Sequence, residues 1–336
     1  MNIPMVSILI AARNEENNIL DLLRSLICLS YPKEKTQILI GNDGSTDKTD
    51  ELIKGFMGHL SEHEKSMFQI HTIEKSIPGL KGKANVLAQL AHHAEGEYYF
   101  FTDADVEVPR HWIEKMLELL HENPSDKKAG VAVGITLVKN THWFEACQAL
   151  EWLFALKLMK TMNNYHIPST GMGNNMMVTK EAYWAVGGYE NIGFSIVEDY
   201  ALYKAVIDKG YDFKQGFDAS IMTVTKPPLN YFEQRKRWVA GGISTGSVLI
   251  YPALVQGFAL PILLAISLFS WQIPLIVIGF NLLINAILGY QIFVRLGQLH
   301  LFKYIPVYTL YMYVFWFLQL VSYFLPTKLV WKGRDY

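Results

Sequence analysis

The chain has 336 residues and a formal net charge of -1. This balance lacks the basic excess typical of nucleic-acid binding and shows no acidic tail, so we expect no nucleic-acid partner. The length permits one large or two ordinary domains. Cys28 and Cys147 are the two cysteines, both in apolar helical contexts without further ligands at metal-binding spacing, and we expect reduced, buried thiols.

Short apolar runs alternate with helical patterns along the first 105 residues. Runs typical of buried parallel strands lie at 6–11, 37–41, 68–73 and 98–102. The clearest helix between them has one apolar face: Ile19, Leu22, Leu23, Leu26 and Ile27. This order predicts an α/β fold with a mostly parallel sheet flanked by helices. Ligands bind outside the carboxyl ends of such strands, where the polar loops AARNEE, NDGSTD and TDADVE follow.

Further elements are predicted after this first part of the chain. In order, they are a helix at 109–121, a strand at 131–138, a strongly apolar helix at 143–159 and a strand at 174–179. The intervening loop 161–173 contains Pro168, Gly171 and Gly173. These residues interrupt regular structure, so this loop is a candidate wall of a pocket.

The loop NDGSTD and the helical segment GKANVLAQL gain a functional interpretation only in combination. Asp43 lies in NDGSTD, which would also serve as a turn and helix cap. Lys83 lies at the glycine-flanked start of the helical segment GKANVLAQL. Backbone N–H groups and a cation can meet a diphosphate at such a helix start, although a solvated lysine would also fit there.

Asp103 and Asp105 follow the buried run 98–102. Residues two apart on a strand project to the same side, so both carboxylates would point at one place. Two hard oxygen ligands would hold Mg²⁺ or Mn²⁺ against phosphate oxygens. A turn before the next helix would use the same pair without a metal.

Two later motifs also have a functional and a structural interpretation. Glu198 and Asp199 begin an apolar helix, where the helix dipole favours carboxylates whatever their function. The segment QRKRW at 234–238 immediately precedes a long uncharged stretch. Basic residues there would suit anchoring at a membrane interface, but Gln234 and Trp238 are not explained by anchoring.

As a set, these motifs resemble a known family. VSILIAARNEE, GNDGSTD, GKANVLAQL, FTDADV, the Glu198-Asp199 pair and Gln234-x-x-Arg237-Trp238 follow the order and spacing of family 2 glycosyltransferases with the Rossmann-like GT-A fold. The resemblance is to the membrane-attached branch, which includes cellulose and hyaluronan synthases and ceramide glucosyltransferases. It covers about seven tenths of the chain, roughly residues 5 to 240. Each motif is weak alone, whereas six in order are specific.

The resemblance implies roles at the matching positions. Glu15 and Asp43 would hold the uracil and ribose of a UDP-sugar, with Ala11 and Arg13 in the same loop. Lys83 would lie beside the nucleotide, and Asp103 and Asp105 would divide contacts with nucleotide and metal. Asp199 would be the general base, with Glu198 next to it in the substrate site. Gln234, Arg237 and Trp238 would close over the diphosphate and acceptor.

One position departs from the family pattern. Asn42 stands where many members have a second acidic residue, which puts the details of nucleotide contact in doubt. The implied reaction is an inverting transfer, because direct attack by an acceptor hydroxyl reverses the anomeric configuration. Such a hydroxyl needs a base to remove its proton.

The carboxyl-terminal part has the composition of a membrane domain. Residues 239–294 and 304–327 contain no Asp, Glu, Lys or Arg, and both stretches exceed the roughly 20 residues that span a bilayer. We expect a catalytic domain at 1–238, with an interface segment at 228–238, followed by a membrane domain at 239–336 with two to three spans. The start of the chain has no signal-peptide pattern, so we expect a multi-pass membrane protein whose catalytic domain faces the cytoplasm.

The position of QRKRW beside the bilayer favours a lipid acceptor. Two alternatives stay open: a processive polysaccharide synthase, which shares the Gln-x-x-Arg-Trp motif but usually has more spans, and a silent nucleotide-sugar-binding membrane protein. The joint presence of Asp103, Asp105, Asp199 and Arg237 argues against the silent protein. The identity of the sugar is not readable from the sequence.

Overall fold

The computed structural model describes residues 3–122, 126–228 and 230–325, and the backbone of 330–331 and 334–335. The chain forms two compact units. The first combines Met1–Thr136 with Met159–Thr225, and the second combines Leu137–Leu158 with Lys226–Tyr336. This division differs from the predicted boundary after Trp238, because the chain enters the second unit once before residue 159 and then returns.

The elements up to Thr225 alternate strands with helices over most of their length. In chain order they are β1 (Val6–Ala12), α1 (Ile19–Ile27), β2 (Thr36–Asn42), α2 (Thr49–Gly58), α3 (Glu62–Lys65), β3 (Phe68–Thr72), α4 (Gly82–His93), β4 (Tyr98–Asp103), β5 (Val106–Glu107), α5 (Trp112–His121), β6 (Ala129–Val133), β7 (Ile135–Val138), α6 (Trp143–Asn164), β8 (Met176–Thr179), α7 (Lys180–Ala185), α8 (Gly188–Ile192), α9 (Glu198–Asp208), β9 (Asp212–Gln215) and β10 (Met222–Thr225).

A seven-stranded sheet forms the centre of the first unit. Its strand order is β3-β2-β1-β4-β8-β6-β9. The first four strands pair in parallel, whereas β8 is antiparallel to both neighbours, and β6 and β9 pair in parallel. The predicted α/β fold with a mostly parallel sheet is therefore confirmed.

The strands are buried on both faces, as continuous apolar runs predict. Six of the seven residues of β1 and all seven of β2 are buried. On one face, Ile8 and Ile10 pack in a core cluster with Leu22 of α1 and Trp112 of α5. Each fully buried side chain of this size stabilises the fold by about 1.5–3 kcal/mol relative to exposure. This core therefore holds in place the strand ends from which the loops after β1, β2 and β4 begin.

Three details differ from the sequence prediction. The predicted strand 131–138 is two strands, because the chain leaves the large sheet at Gly134, whose N–H donates to the Asn175 carbonyl at 2.8 Å. From there β7 joins a three-stranded sheet of order β5-β10-β7. The predicted helix 109–121 begins at Trp112, and α6 continues beyond 159 to Asn164. Cys147 is buried as expected, but Cys28 is exposed, since it caps α1 beyond the buried face.

The second unit is mainly helical. Besides the first part of α6 it contains α10 (Tyr231–Thr245), α11 (Ile250–Ser267), α12 (Gln272–Leu296), α13 (Ile305–Phe324) and the antiparallel pair β11 (Val330–Trp331) and β12 (Arg334–Asp335). Three segments are long and apolar enough to cross a membrane: Ile250–Ser267, Gln272–Leu296 and Leu299–Phe324. Among the residues described, the structure thus offers three candidate spans, at the upper end of the predicted two to three.

We expect Gly96→Ala to destabilise the fold. A Cβ added there would lie 2.5 Å from the Ser7 backbone nitrogen and 2.6 Å from the Val6 carbonyl carbon. Backbone atoms of a central strand cannot move aside cheaply, so the cost should be about 1–3 kcal/mol. The measurement is the melting temperature of the full chain in detergent, with tryptophan fluorescence as the signal that monitors unfolding.

Gly55→Ala is the matched control for this substitution. Gly55 lies within α2, and nothing lies within 4 Å of an added Cβ. Alanine is favoured over glycine inside a helix by roughly 0.5–1 kcal/mol, so this variant should melt at or above the wild-type temperature. Equal melting temperatures for the two variants would contradict the prediction.

Candidate active site

The register of the sheet brings three loops to one edge. Ala11 of β1 is level with Gly41 of β2 and with Asp103 of β4. All three strands run in parallel, so their carboxyl ends coincide. The loops that contain Arg13, Asp43 and Asp105 therefore start side by side, at the position where parallel sheets bind ligands.

The loops after β1 and β2 are joined by hydrogen bonds. The Arg13 guanidinium donates to the Asp43 carbonyl at 2.6 Å. The backbone N–H of Glu15 donates to the Thr49 hydroxyl at 2.7 Å, and Asn18 donates to the Glu15 carboxylate at 2.8 Å. Glu15 is only 5 % exposed. The structure thus brings Arg13, Glu15 and Asp43 together in one rigid pair of loops.

Lys83 connects two of the predicted acidic motifs. Its Nζ lies 2.5 Å from Asp103 Oδ1 and 3.3 Å from Glu198 Oε1, and its side chain is 12 % exposed. Burial of the ammonium favours its neutral form, but the charges of Asp103, Glu198 and Asp199 outweigh burial and raise the pKa of Lys83. Lys83 is therefore a fixed cation at the carboxyl edge of the sheet.

Exposure alternates along the segment that contains Asp103 and Asp105. Thr102, Ala104 and Val106 are buried, whereas both aspartates are partly exposed. Both aspartates are thus more exposed than their neighbours, but Ala104 and Asp105 form a turn between β4 and β5, so the strand geometry used in the prediction ends at Asp103.

The acidic pair at the start of α9 lies beside the same lysine. Asp199 is fixed by two backbone donors: the Gly173 N–H bonds Oδ2 at 2.6 Å and the Tyr200 N–H bonds Oδ1 at 2.8 Å. Burial raises the pKa of Glu198; the Lys83 charge opposes this shift and the Asp199 charge adds to it. The two carboxyl groups thus differ, with Asp199 held by amides and Glu198 by an ammonium.

Two glycines of the predicted pocket loop, Gly171 and Gly173, allow this loop to lie close to Lys83 and to the start of α9. A Cβ on Gly173 would lie 2.7 Å from Lys83 Nζ, and one on Gly171 would lie 2.5 Å from the Asp199 carbonyl oxygen. Any side chain at either position would displace Lys83 or α9. The end of the loop 161–173 is therefore part of the site.

Asn175 is a structural residue of this region that the sequence analysis did not identify. It is fully buried, and its side-chain amide donates to the carbonyls of Ile135 at 2.7 Å and Ile221 at 2.8 Å. Its amide oxygen accepts from the Trp112 indole at 2.9 Å. The signal available in the sequence was an asparagine within a predicted buried strand, where a polar side chain needs partners.

Gln234, Arg237 and Trp238 belong to α10 in the second unit. The ring of Trp238 stacks on Trp152 of α6, with 4.8 Å between the ring centroids. The roles of these three residues in the reaction stay predictions.

The acidic residues fit a divalent cation only in combination with a ligand. In the described part of the chain, no group of three or more His, Cys, Asp or Glu side chains could hold a metal. Asp103 and Asp105 would offer two hard oxygen ligands, and Mg²⁺ takes the rest of its shell from water and substrate phosphates. The set therefore suits a metal that arrives with a nucleotide diphosphate.

The sheet, with its acidic carboxyl edge, defines a GT-A-type glycosyltransferase. Residues 7–187 match the family model described as glycosyl transferase family 2, and residues 100–325 match that of glycosyl transferase family group 2. The chain belongs to glycosyl transferase family 2. It is an enzyme family, and the predicted resemblance is confirmed.

Two curated relatives are similar to this chain over about seven tenths of its length. The chain is 27 % identical over 247 residues to the beta-monoglucosyldiacylglycerol synthase of Nostoc sp., covering 72 % of this chain and 49 % of that protein. It is 28 % identical over 240 residues to the poly-beta-1,6-N-acetyl-D-glucosamine synthase of Staphylococcus epidermidis, covering 70 % and 54 %. It thus spans about half the length of these relatives.

One solved structure is similar in fold and more distant in sequence. It is the mannosyltransferase PcManGT from Pyrobaculum calidifontis in complex with GDP-Man and Mn²⁺, with a TM-score of 0.57 and 17 % identity over 93 % of this chain and 88 % of that one. This likeness shows the fold.

Proposed function

We propose that this enzyme transfers one sugar from a UDP-sugar to a lipid acceptor in the membrane, with inversion at the anomeric carbon. The observation that carries the proposal is the double contact of Lys83 with Asp103 and Glu198, beside Asp199. It joins the predicted diphosphate motif to the predicted base motif within a family 2 glycosyltransferase. The three candidate membrane spans in the second unit support the acceptor class.

The nucleoside would be held by the loops after β1 and β2. We assign uracil and ribose contacts to Glu15 and Asp43, with Ala11 and Arg13 lining the same place. The support is the hydrogen-bonded pair of loops, because a preorganised loop loses little conformational entropy when a ligand binds. Asn42 supports the loop itself, since its side-chain oxygen accepts from the Ser45 N–H at 3.1 Å.

The diphosphate leaving group would be stabilised at the end of β4. We assign nucleotide contact to Asp103 and metal binding to Asp103 and Asp105. Three carboxylates act on the single ammonium of Lys83, and this surplus of negative charge would repel a diphosphate without an added cation. A bound Mg²⁺ or Mn²⁺ would supply charge stabilisation for the departing UDP, and Lys83 and Arg237 would add fixed positive charge.

Asp199 would remove the proton from the acceptor hydroxyl. Its two backbone hydrogen bonds fix the carboxylate in one orientation, which a general base requires. Glu198 is less suited to that role because its carboxylate contacts the Lys83 ammonium at 3.3 Å. We therefore assign Glu198 to the substrate site, where it holds Lys83 in place.

The acceptor would come from the bilayer on the cytoplasmic side. α10, which carries Gln234, Arg237 and Trp238, is followed after a short turn by the candidate span Ile250–Ser267. Because α10 immediately precedes this span in the sequence, an acceptor that contacts α10 would lie near the membrane surface. The Nostoc relative is named for synthesis of a glucosyl lipid, whereas the Staphylococcus relative is named for synthesis of a polymer, which keeps a processive synthase as the second candidate.

Product analysis tests the proposed function. The full chain in lipid vesicles is incubated with single UDP-sugars and a total lipid extract, and products are measured by mass spectrometry. We expect one added sugar on an extractable lipid. A polymer would instead support the second candidate, and binding of UDP-sugar without any transfer would identify a silent protein.

We expect Asp199→Asn to abolish transfer while leaving UDP-sugar binding nearly intact. The amide cannot take up a proton, and loss of a general base reduces turnover by about 10²–10⁴-fold. The measurements are kcat from product formation and the dissociation constant for UDP-sugar from calorimetry. Asp208→Asn is the control, because Asp208 lies on the same helix with a 61 % exposed side chain. Normal turnover by the Asp199 variant would remove Asp199 from the base role.

We expect a chelator to stop the reaction and added Mg²⁺ or Mn²⁺ to restore it. The acidic edge of the sheet needs a divalent cation to accept the diphosphate, and the charge stabilisation by the metal is lost with it. Transfer is measured in excess chelator and again after each metal is returned. Undiminished activity in excess chelator is the result that excludes a metal.

A further inference from the structure

The second unit contains a buried ion pair that the proposed reaction does not use. Arg235 Nη2 of α10 lies 2.7 Å from Glu151 Oε2 of α6, with side-chain exposures of 9 % and 6 %. The same carboxylate oxygen accepts from the hydroxyls of Tyr231 at 3.3 Å and Tyr311 at 3.1 Å. Tyr311 lies on α13, and its hydroxyl oxygen lies 2.7 Å from the hydroxyl oxygen of Tyr231. One carboxylate therefore joins α6, α10 and α13.

Aromatic rings surround the guanidinium of Arg235. Its central carbon lies 4.3 Å from the ring centroid of Trp238, 5.0 Å from that of Tyr231 and 6.0 Å from that of Trp152. A guanidinium at these distances is attracted to the ring faces. The buried Nε has no hydrogen-bond partner among the described residues. Arg235 is thus held by one carboxylate and by ring packing.

Stability alone is a weak reason for this arrangement. Removing two charges from water is costly, and well-packed apolar side chains often replace a buried ion pair without loss of stability. What an ion pair adds is direction, because a planar guanidinium meets a carboxylate in few orientations. The pair therefore fixes an orientation of α10 that apolar side chains would leave less defined.

The helical spacing of α10 shows which of its side chains share a face with Arg235. Tyr231, Arg235 and Trp238 are spaced i, i+4 and i+7 and share one face of α10. Arg237 follows Arg235 by two residues, which places it about 200° around the helix, on the other side. Holding Arg235 therefore sets the rotation of α10 about its axis, and with it the directions of Gln234 and Arg237.

We propose that Glu151 and Arg235 are positioning residues that set the orientation of Gln234, Arg237 and Trp238. The inference rests on the proposed function, in which these three residues close over the diphosphate and the acceptor. Glu151 and Arg235 act through α10 and through the ring of Trp238. They fix the Gln-x-x-Arg-Trp motif before substrate arrives, so that the motif loses little freedom when it closes.

The test compares Arg235→Met, Arg235→Lys and Glu151→Gln in the full chain in lipid vesicles. Misplacement of a reacting group by about 1 Å costs on the order of 100-fold in rate, so kcat should fall about 10–100-fold for Arg235→Met and Glu151→Gln. Arg235→Lys keeps the charge and should recover part of this loss. The dissociation constant for uridine, which lacks the diphosphate, should change less than that for UDP, because the nucleoside is assigned to loops of the first unit.

A spectroscopic measurement tests the positioning without enzymatic activity. The stacked indoles of Trp152 and Trp238 should give a coupled near-ultraviolet circular dichroism signal, and Arg235→Met should reduce it. The circular dichroism signal can be measured even if the wild-type chain transfers no sugar. A failure of the proposed function can therefore be distinguished from a failure of the positioning role. An unchanged signal together with wild-type kcat in Arg235→Met would overturn the inference.

Two further variants serve as controls. Arg24→Met removes an arginine that is 66 % exposed and pairs with Asp21 at 3.4 Å on α1, and it should change neither kcat nor the signal. If Arg235→Met does not fold, Glu151→Gln decides, because it keeps the side-chain shape and one acceptor oxygen. Wild-type kcat for a folded Glu151→Gln would also overturn the inference.

Discussion

The candidate active site depends on the burial of one ammonium group. Lys83 is nearly enclosed, and its charge is sustained by Asp103 and Glu198, which come from β4 and α9. An unpaired ammonium at this depth would lose its proton or move to solvent. The Glu198 carboxylate in turn would be costly to bury without the lysine, whereas Asp103 is partly exposed. Lys83 and Glu198 therefore support each other's charge, and the charge of Asp103 also raises the pKa of Lys83.

This charge cluster explains why the surrounding chain is so constrained. The parallel register of β1, β2 and β4 places Asp103 at the carboxyl edge of the sheet. The start of α9 places Glu198 beside the same lysine. Gly171 and Gly173 allow the preceding loop to approach α9, where the Gly173 N–H fixes Asp199. A carboxylate bonded by amides has a defined direction, whereas one bonded to an ammonium is partly neutralised. The same few residues thus supply both a held cation and a separately oriented base candidate.

Much of the first unit could be predicted because its signals are local. Strands β1 to β4 are short apolar runs and helix α1 has one apolar face, and the loops that follow parallel strands meet at one edge whatever their exact contacts. The division of 131–138 at Gly134 was not predictable, since it depends on Asn175, which is distant in sequence. The sequence placed Lys83 and Glu198 in one site only through the family resemblance, because no local pattern reports a contact across more than 100 residues.

Arg235 shows the same limit in the second unit. Within QRKRW it looks like one of three equivalent basic residues beside a membrane segment, and composition assigns all three to the interface. The structure separates them, because Arg235 pairs with Glu151, a residue 84 positions earlier in the chain. A helix of 3.6 residues per turn places alternate residues on nearly opposite sides. A run of basic residues next to a membrane can therefore combine one buried, oriented arginine with others that lie on different faces of the same helix.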